Sequence, residues 1–139
     1  MRKICSQPPV CSKQCHSRLA KLQGAKMVHF VWEFIARTGS EGEFEGLYSS
    51  NGAWTKLFAK APGFLGTSLL RDTTNALRFL TIDRWESVEA QSAMRERFAD
   101  EYEEMDRACE KLTESERRIG IFEDDDGSVP SSRREQAAR

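Results

Sequence analysis

Long apolar runs are what this sequence most lacks. No stretch approaches the roughly 18 consecutive apolar residues that a membrane-spanning helix needs, and 31% of the 139 residues are charged. A soluble, cytoplasmic protein with no membrane partner is therefore expected. An excess of basic charge is missing too: 21 Lys and Arg stand against 22 Asp and Glu, so a nucleic-acid partner is not expected. Histidine is scarce, with His16 and His29 alone in the chain. Three of the four cysteines, Cys5, Cys11 and Cys15, lie near the N-terminus. None forms a Cys-x-x-Cys pair, and an odd thiol is left over, so neither a zinc site nor a disulfide module is expected. Gly39, Gly52, Gly63 and Gly66 make no phosphate-cradling loop, and no nucleophile-elbow pattern occurs.

What is present suits one domain with one core. Residues 1–26 carry six basic residues (Arg2, Lys3, Lys13, Arg18, Lys21, Lys26) and no acid. They read as a disordered basic leader without a secretory apolar segment. Met27 opens the first strongly patterned segment, so the natural start is placed there, with the leader an extension or a start-site artefact. Residues 27–122 form the expected domain. Residues 123–139 begin with an acidic run, offer nothing to bury and read as a disordered tail.

Within the domain, His29–Arg37 is rich in aromatic and β-branched residues and predicts a strand. Ser40 is placed as a helix cap with Glu41 and Glu43 behind it, where acids suit the helix dipole. Phe44, Leu47 and Tyr48, then Trp54, Leu57 and Phe58, repeat a helical spacing interrupted at Ser49–Gly52. Phe64–Leu70 and Arg78–Trp85 predict an antiparallel hairpin, with a bulge at Gly66. Ser87 is expected to cap one long helix whose apolar stripe runs Met94, Phe98, Tyr102, Met105, Cys109 and Leu112. Its opposite face, a charged run from Arg95 to Arg107, reads as solvated and without chemistry. Arg117–Phe122 predicts a fourth strand. The order βαββαβ implies an α+β, ferredoxin-like fold: a four-stranded antiparallel sheet, two helices on one face, and strands one and three central.

The strand faces demand more than two helices supply. Leu80 and Ile82 point one way, and Phe79, Thr81, Asp83 and Trp85 the other. The first strand alternates His29, Val31, Glu33 and Ile35 against Phe30, Trp32, Phe34 and Ala36, and both sets hold bulky apolar groups. Burying each large side chain stabilises by about 2 kcal/mol. A second copy, sheet against sheet, is the economical cover for Phe79, Trp85 and their neighbours. The expected homodimer encloses either a mixed aromatic and polar ligand cavity or a plain dimer core. Which face of the first strand looks inward stays open.

The segments VWEFIARTG, APGFLGTSLLRD and RFLTIDRWESVEA occur in an order and spacing that resembles the antibiotic biosynthesis monooxygenase domain family over about residues 28–122. The resemblance implies a dimeric α/β barrel. It also implies a family that includes cofactor-independent oxygenases of polycyclic phenols and haem-degrading enzymes. In the haem-degrading relatives an Asn ending strand one, a Trp ending strand three and a His on the second helix form the site. Trp85 matches the Trp, but Phe34 stands at the Asn position, and residues 88–112 hold no histidine. Haem chemistry is therefore disfavoured, and no cofactor is expected.

A cofactor-free oxygenase needs a base, aromatic walls and exclusion of water. Asp83 is the base candidate, since burial beside Trp85 and Phe79 would raise its pKa; the competing reading is an ion pair with Arg71 or Arg78. His29 is the second base candidate, or a plain residue at a strand start. Trp85, Phe79, Thr81 and Trp32 are placed against the substrate, a small aromatic or polyphenolic molecule. The alternative functions are a non-catalytic dimeric module binding a flat hydrophobic ligand, and haem binding.

Overall fold

The computed structural model describes residues 27–125. The expectations for the leader of residues 1–26 with its cysteines, and for the tail beyond Asp125, lie outside the described residues. The element order is β1 (Val28–Ala36), α1 (Glu41–Tyr48), α2 (Ala53–Phe58), β2 (Phe64–Asp72), β3 (Asn75–Trp85), α3 (Val88–Arg97), α4 (Ala99–Cys109), a 3-10 turn (Glu110–Leu112) and β4 (Thr113–Glu123). The four strands form one antiparallel sheet in the order β2-β3-β1-β4. β1 and β3 are central, as the right-handed crossovers of a ferredoxin-like fold require.

Register decides which residues meet. Phe30 pairs with Asp83, Trp32 with Thr81 and Phe34 with Phe79. Thr67 pairs with Asp83 on the other side of β3. Directly paired residues share a face, so these side chains form one surface, and the helices lie on it. Phe44 of α1 stacks on Tyr48 at 4.1 Å and lies 4.8 Å from Phe79, ring centre to ring centre. Phe58 of α2 and Phe64 of β2 pack against Trp85 at 5.7 and 5.1 Å. Phe79 and Trp85 are each only 1% exposed.

This placement corrects one expectation. Phe79, Thr81, Asp83 and Trp85 are covered by the protein's own helices, not by a second sheet. α1 and α2 bring four aromatic rings of their own, enough to bury the inward rings of β1 and β3 without a partner. The opposite face carries Val31, Ile35, Leu80 and Ile82, all half-buried, and Leu70, 47% exposed. Charged side chains cross it: Glu33 accepts from Arg78 Nε at 2.6 Å and from Arg117 at 2.9 Å. These guanidinium groups hold the Glu33 carboxyl below its usual range.

The helices also differ from the reading of the sequence. Ser87 caps α3 as expected, its Oγ accepting from the Ala90 N–H at 3.0 Å. Ser40 makes no side-chain cap; only its backbone carbonyl serves, accepting from Phe44 N–H. The long second helix is broken at Phe98, whose φ of −112° and ψ of 36° leave the helical region. The i to i−4 bonds persist on both sides of the break, Phe98 N–H to Met94 and Tyr102 N–H to Phe98, so apolar periodicity runs through unbroken and gives no sign of it. β4 begins four residues earlier than the apolar pattern suggests and ends at Glu123, because pairing with β1, not burial, sets its length.

Gly63 holds the approach to β2. Its φ is +94°, its carbonyl accepts from Glu86 N–H at 2.8 Å, and an added Cβ would lie 2.7 Å from the Ala90 Cβ. Left-handed backbone alone costs a non-glycine residue about 1–2 kcal/mol. Gly63→Ala is therefore expected to lower the urea midpoint with loss of at least about 1 kcal/mol; an unchanged midpoint would show that the turn relaxes freely.

Candidate functional site

A small half-open cavity lies between the sheet and the helices of a single chain. Strand alternation supplies its floor: Trp32 and Phe34 from β1, Thr67 from β2, Thr81 and Asp83 from β3. The helices supply the roof, with Tyr48, Trp54 and Phe58 on one side and Tyr102 and Asp106 on the other. Glu116 of β4 completes the lining. The aromatic walls brace one another. Trp54 meets Tyr102 edge-on at 5.0 Å, and Trp32 stacks near Phe34 at 6.3 Å. Such offset and edge-on pairs favour fixed ring orientations.

Asp83 is the chemically distinctive group. Thr67 Oγ1 donates to its Oδ1 at 2.7 Å. Burial pushes its carboxyl up from an ordinary 3.8 to about 6, with the Thr67 hydrogen bond and the more distant Arg84 charge pulling the other way. The expected alternative, an ion pair with Arg71 or Arg78, is not formed: Arg71 pairs with Glu45, and Arg78 with Glu33 and Asp72. A carboxylate that gains a proton near pH 6 can act as a general base close to neutrality. The tyrosines differ. Burial raises Tyr102 to about 12 and Tyr48 well above its ordinary value, so both stay neutral hydroxyls.

The other sequence candidates divide. Trp32, Thr81 and Asp83 come together on the cavity floor. Phe79 and Trp85 share their sheet face but lie in solid core on either side of it, against Phe44 and against Phe58 and Phe64. His29 is on the opposite face of the sheet, its Nε2 3.1 Å from Asp124 Oδ1. Period two on β1 makes this unavoidable once Trp32 turns inward. The sequence reading left out Tyr48, Trp54 and Tyr102, taken as helix core, and Asp106, taken as part of a solvated face. Asp106 is half-buried at the cavity. Tyr102 four residues before it on α4 was the available signal, since i and i+4 share a face. Glu116 lies before the point where the fourth strand was expected to begin. Among the described residues no group of three His, Cys, Asp or Glu side chains is placed to hold a metal ion, and no helix is long and apolar enough to cross a membrane.

The fold and the cavity beneath its helices define the ferredoxin-like class of small αβ-sandwich proteins. Within that class, the profile of the antibiotic biosynthesis monooxygenase family matches residues 27–108, and the chain belongs to that family. Among solved structures it is similar to SnoaB, a cofactor-independent oxygenase from Streptomyces nogalater. The identity is 24%, with a TM-score of 0.62, over 77% of this chain and 100% of SnoaB. A single-substitution variant of SnoaB matches at 25% identity and a TM-score of 0.61, over the same shares. PA3566 from Pseudomonas aeruginosa shares the fold at 16% identity and a TM-score of 0.52, over 71% of this chain and 92% of that one. Comparison with the curated proteins gives no match.

The raised Asp83 pKa carries a stability consequence. Because the folded value lies above the ordinary one, ionisation opposes folding. The penalty is absent below about pH 4, grows as pH rises toward 6 and is complete above it. Two units correspond to about 3 kcal/mol at most. Asp83→Asn, which keeps an acceptor for Thr67, is expected to raise the melting temperature at about pH 8 and leave it unchanged near pH 4. Equal effects at both pH values would contradict the assignment.

Proposed function

We propose that the chain is a cofactor-independent monooxygenase acting on a small aromatic or polyphenolic substrate held in the cavity beneath its helices. One observation carries the reading: a carboxyl group poised near pH 6, fixed by Thr67, on the floor of an aromatic-walled cavity. Family membership supports the reaction class. The similarity to SnoaB, a cofactor-independent oxygenase, agrees with it.

In this reading Asp83 removes a proton from an activated ring carbon or its hydroxyl. Trp32, Trp54 and Tyr102 hold the planar anion and keep water away. The anion passes one electron to O₂, and the radical pair combines into a C–O bond. The hydroperoxide then loses water to leave a carbonyl. One oxygen atom enters the substrate, the other leaves as water, and a methylene gives up both hydrogens, so oxidation of the carbon balances reduction of O₂. Thr67 positions the Asp83 carboxyl, and Thr81 stands beside it as a hydroxyl for a substrate oxygen.

The test is oxygen uptake with a panel of hydroxylated polycyclic aromatics. Turnover is expected with at least one, its rate rising as pH passes through about 6, and Asp83→Asn is expected to lower kcat/KM by about 100-fold or more. Full activity in that variant would overturn the mechanism. Tight binding without oxygen uptake would instead make the protein a binding module.

The homodimer belongs to the same proposal, now through the outer sheet face. Val31, Ile35, Leu70, Leu80 and Ile82 give that face an apolar centre, and Glu33 with Arg78 and Arg117 gives it charge. Sedimentation at micromolar concentration is expected to report two-chain particles, and Ile82→Asp one-chain particles that keep the fold. One-chain particles from the unaltered protein would remove the dimer.

A further inference from the structure

We propose that α4 is a door over the cavity: the break at Phe98 is its joint, the Lys60–Glu101 ion pair is its latch, and a fused-ring substrate enters only when it swings out. The proposal rests on the reading of this cavity as the substrate site and adds how that site is reached.

The need for a door comes from the roof. The cavity is small and its walls touch: Trp54 of α2 meets Tyr102 of α4 edge-on at 5.0 Å. That contact is a seam, and fused rings pass it only if one side gives way. The two sides differ in how firmly they are seated. α2 buries Trp54, Leu57 and Phe58, three of its 6 residues. α4 buries only Cys109 of its 11, while Tyr102 and Met105 are half-buried. Cys109 closes the helix, and the chain just beyond it is pinned: Leu112 is buried, and the carbonyls of Lys111 and Leu112 accept from Arg37. The first turns of α4 have no such anchor. Segments with few buried apolar contacts open locally at least cost, so α4 is the side that moves, and the turns carrying Glu101 and Tyr102 move most.

A joint and a latch sit at that end. Phe98 separates α3 from α4 with φ −112° and ψ 36°, so α4 can tilt without carrying α3 along; residues at the ends of elements commonly absorb such changes. Lys60, just past α2, brings its Nζ to 3.0 and 3.3 Å from the two carboxylate oxygens of Glu101. The same Nζ lies 5.7 Å from the centre of the Phe98 ring. Glu101 and Tyr102 are neighbours in sequence, so the ion pair clasps from outside the seam that the rings close from within. Both partners are about half exposed. An exposed pair contributes little to stability and is screened by salt, which suits a latch that opens repeatedly rather than a structural brace.

The experiment follows hydroxypyrene, a fluorescent fused-ring phenol, binding to the full chain by stopped flow at mildly acidic pH, where the probe is uncharged. Because opening limits entry, the observed rate is expected to level off at high probe concentration instead of rising in proportion. Lys60→Met is expected to raise that plateau about threefold, the scale an exposed pair supplies. Added salt is expected to raise the plateau of the unaltered chain and leave that of Lys60→Met where it is. Lys60→Glu is expected to raise it further, and adding Glu101→Lys to that variant to return it to the original value, a recovery that a merely structural role for Lys60 would not give. A rate proportional to probe concentration throughout, a plateau indifferent to Lys60→Met, or no recovery in the exchanged pair would overturn the door, as would a chain that takes up no hydroxypyrene. The two readings fail separately. Latch-dependent entry without oxygen uptake sustains the door and removes the oxygenase. Oxygen uptake with entry indifferent to the latch does the reverse.

Discussion

In β3 the fate of Asp83 is tied to that of Phe79 and Trp85. A strand alternates its side chains with period two, so the face that delivers two large rings to the core must deliver Asp83 with them. The rings bury because α1 and α2 present Phe44 and Phe58 to meet them. Asp83 follows, and the loss of water around it raises its pKa to about 6. Most of the site derives from this one constraint. The cavity exists where large rings give way to Thr67, Thr81 and Asp83 on the sheet floor, leaving space under Trp54 and Tyr102. The Asp83 carboxyl is held in an uncomfortable state by packing that stabilises everything around it, the arrangement expected of the proposed base where activity and stability compete.

The two faces of the sheet have separate tasks. The inner face carries rings, a titrating carboxyl and a cavity complete within one chain. The outer face is a mosaic of aliphatic groups and a charged cluster in which Glu33 holds Arg78 and Arg117. His29 and Asp124 join the start of β1 to the residue following β4 on that side. A partner on the outer face would therefore leave the cavity chemically whole, its lining drawn from one protomer.

The fold was legible in the sequence because its signals are local and strong. The aromatic strand at His29–Arg37, the hairpin around Asp72–Ala76 and the Ser87 cap each mark an element, and the order βαββαβ leaves few topologies. The grouping of Phe79, Thr81, Asp83 and Trp85 was equally plain. What covered that group was not, because the apolar stripes of α1 and α2 show that these helices bury a face but not which face of the sheet receives it. Treating both sheet faces as greasy therefore assigned the cavity to a second chain. Only the register of β1 against β3, which sets Trp32 opposite Thr81 and Phe30 opposite Asp83, turns His29 and Glu33 away. Trp54, Tyr102 and Asp106 escaped for a related reason: helical spacing marks a residue as facing inward without distinguishing packed core from the wall of a void. Family resemblance did not supply them either, since the motifs that carried it lie in the strands and their flanks.

The central claim is that burial holds the Asp83 carboxyl near neutrality inside the chain's own cavity. The most direct measurement is the pH titration of its side-chain carboxyl carbon by NMR, assigned through its loss in Asp83→Asn. The account requires a midpoint close to 6, moving upward in Thr67→Val as the hydrogen bond that favours the charged form is removed. A midpoint at the ordinary aspartate value, indifferent to Thr67, would mean that water reaches this carboxylate freely, and the site described here would not exist.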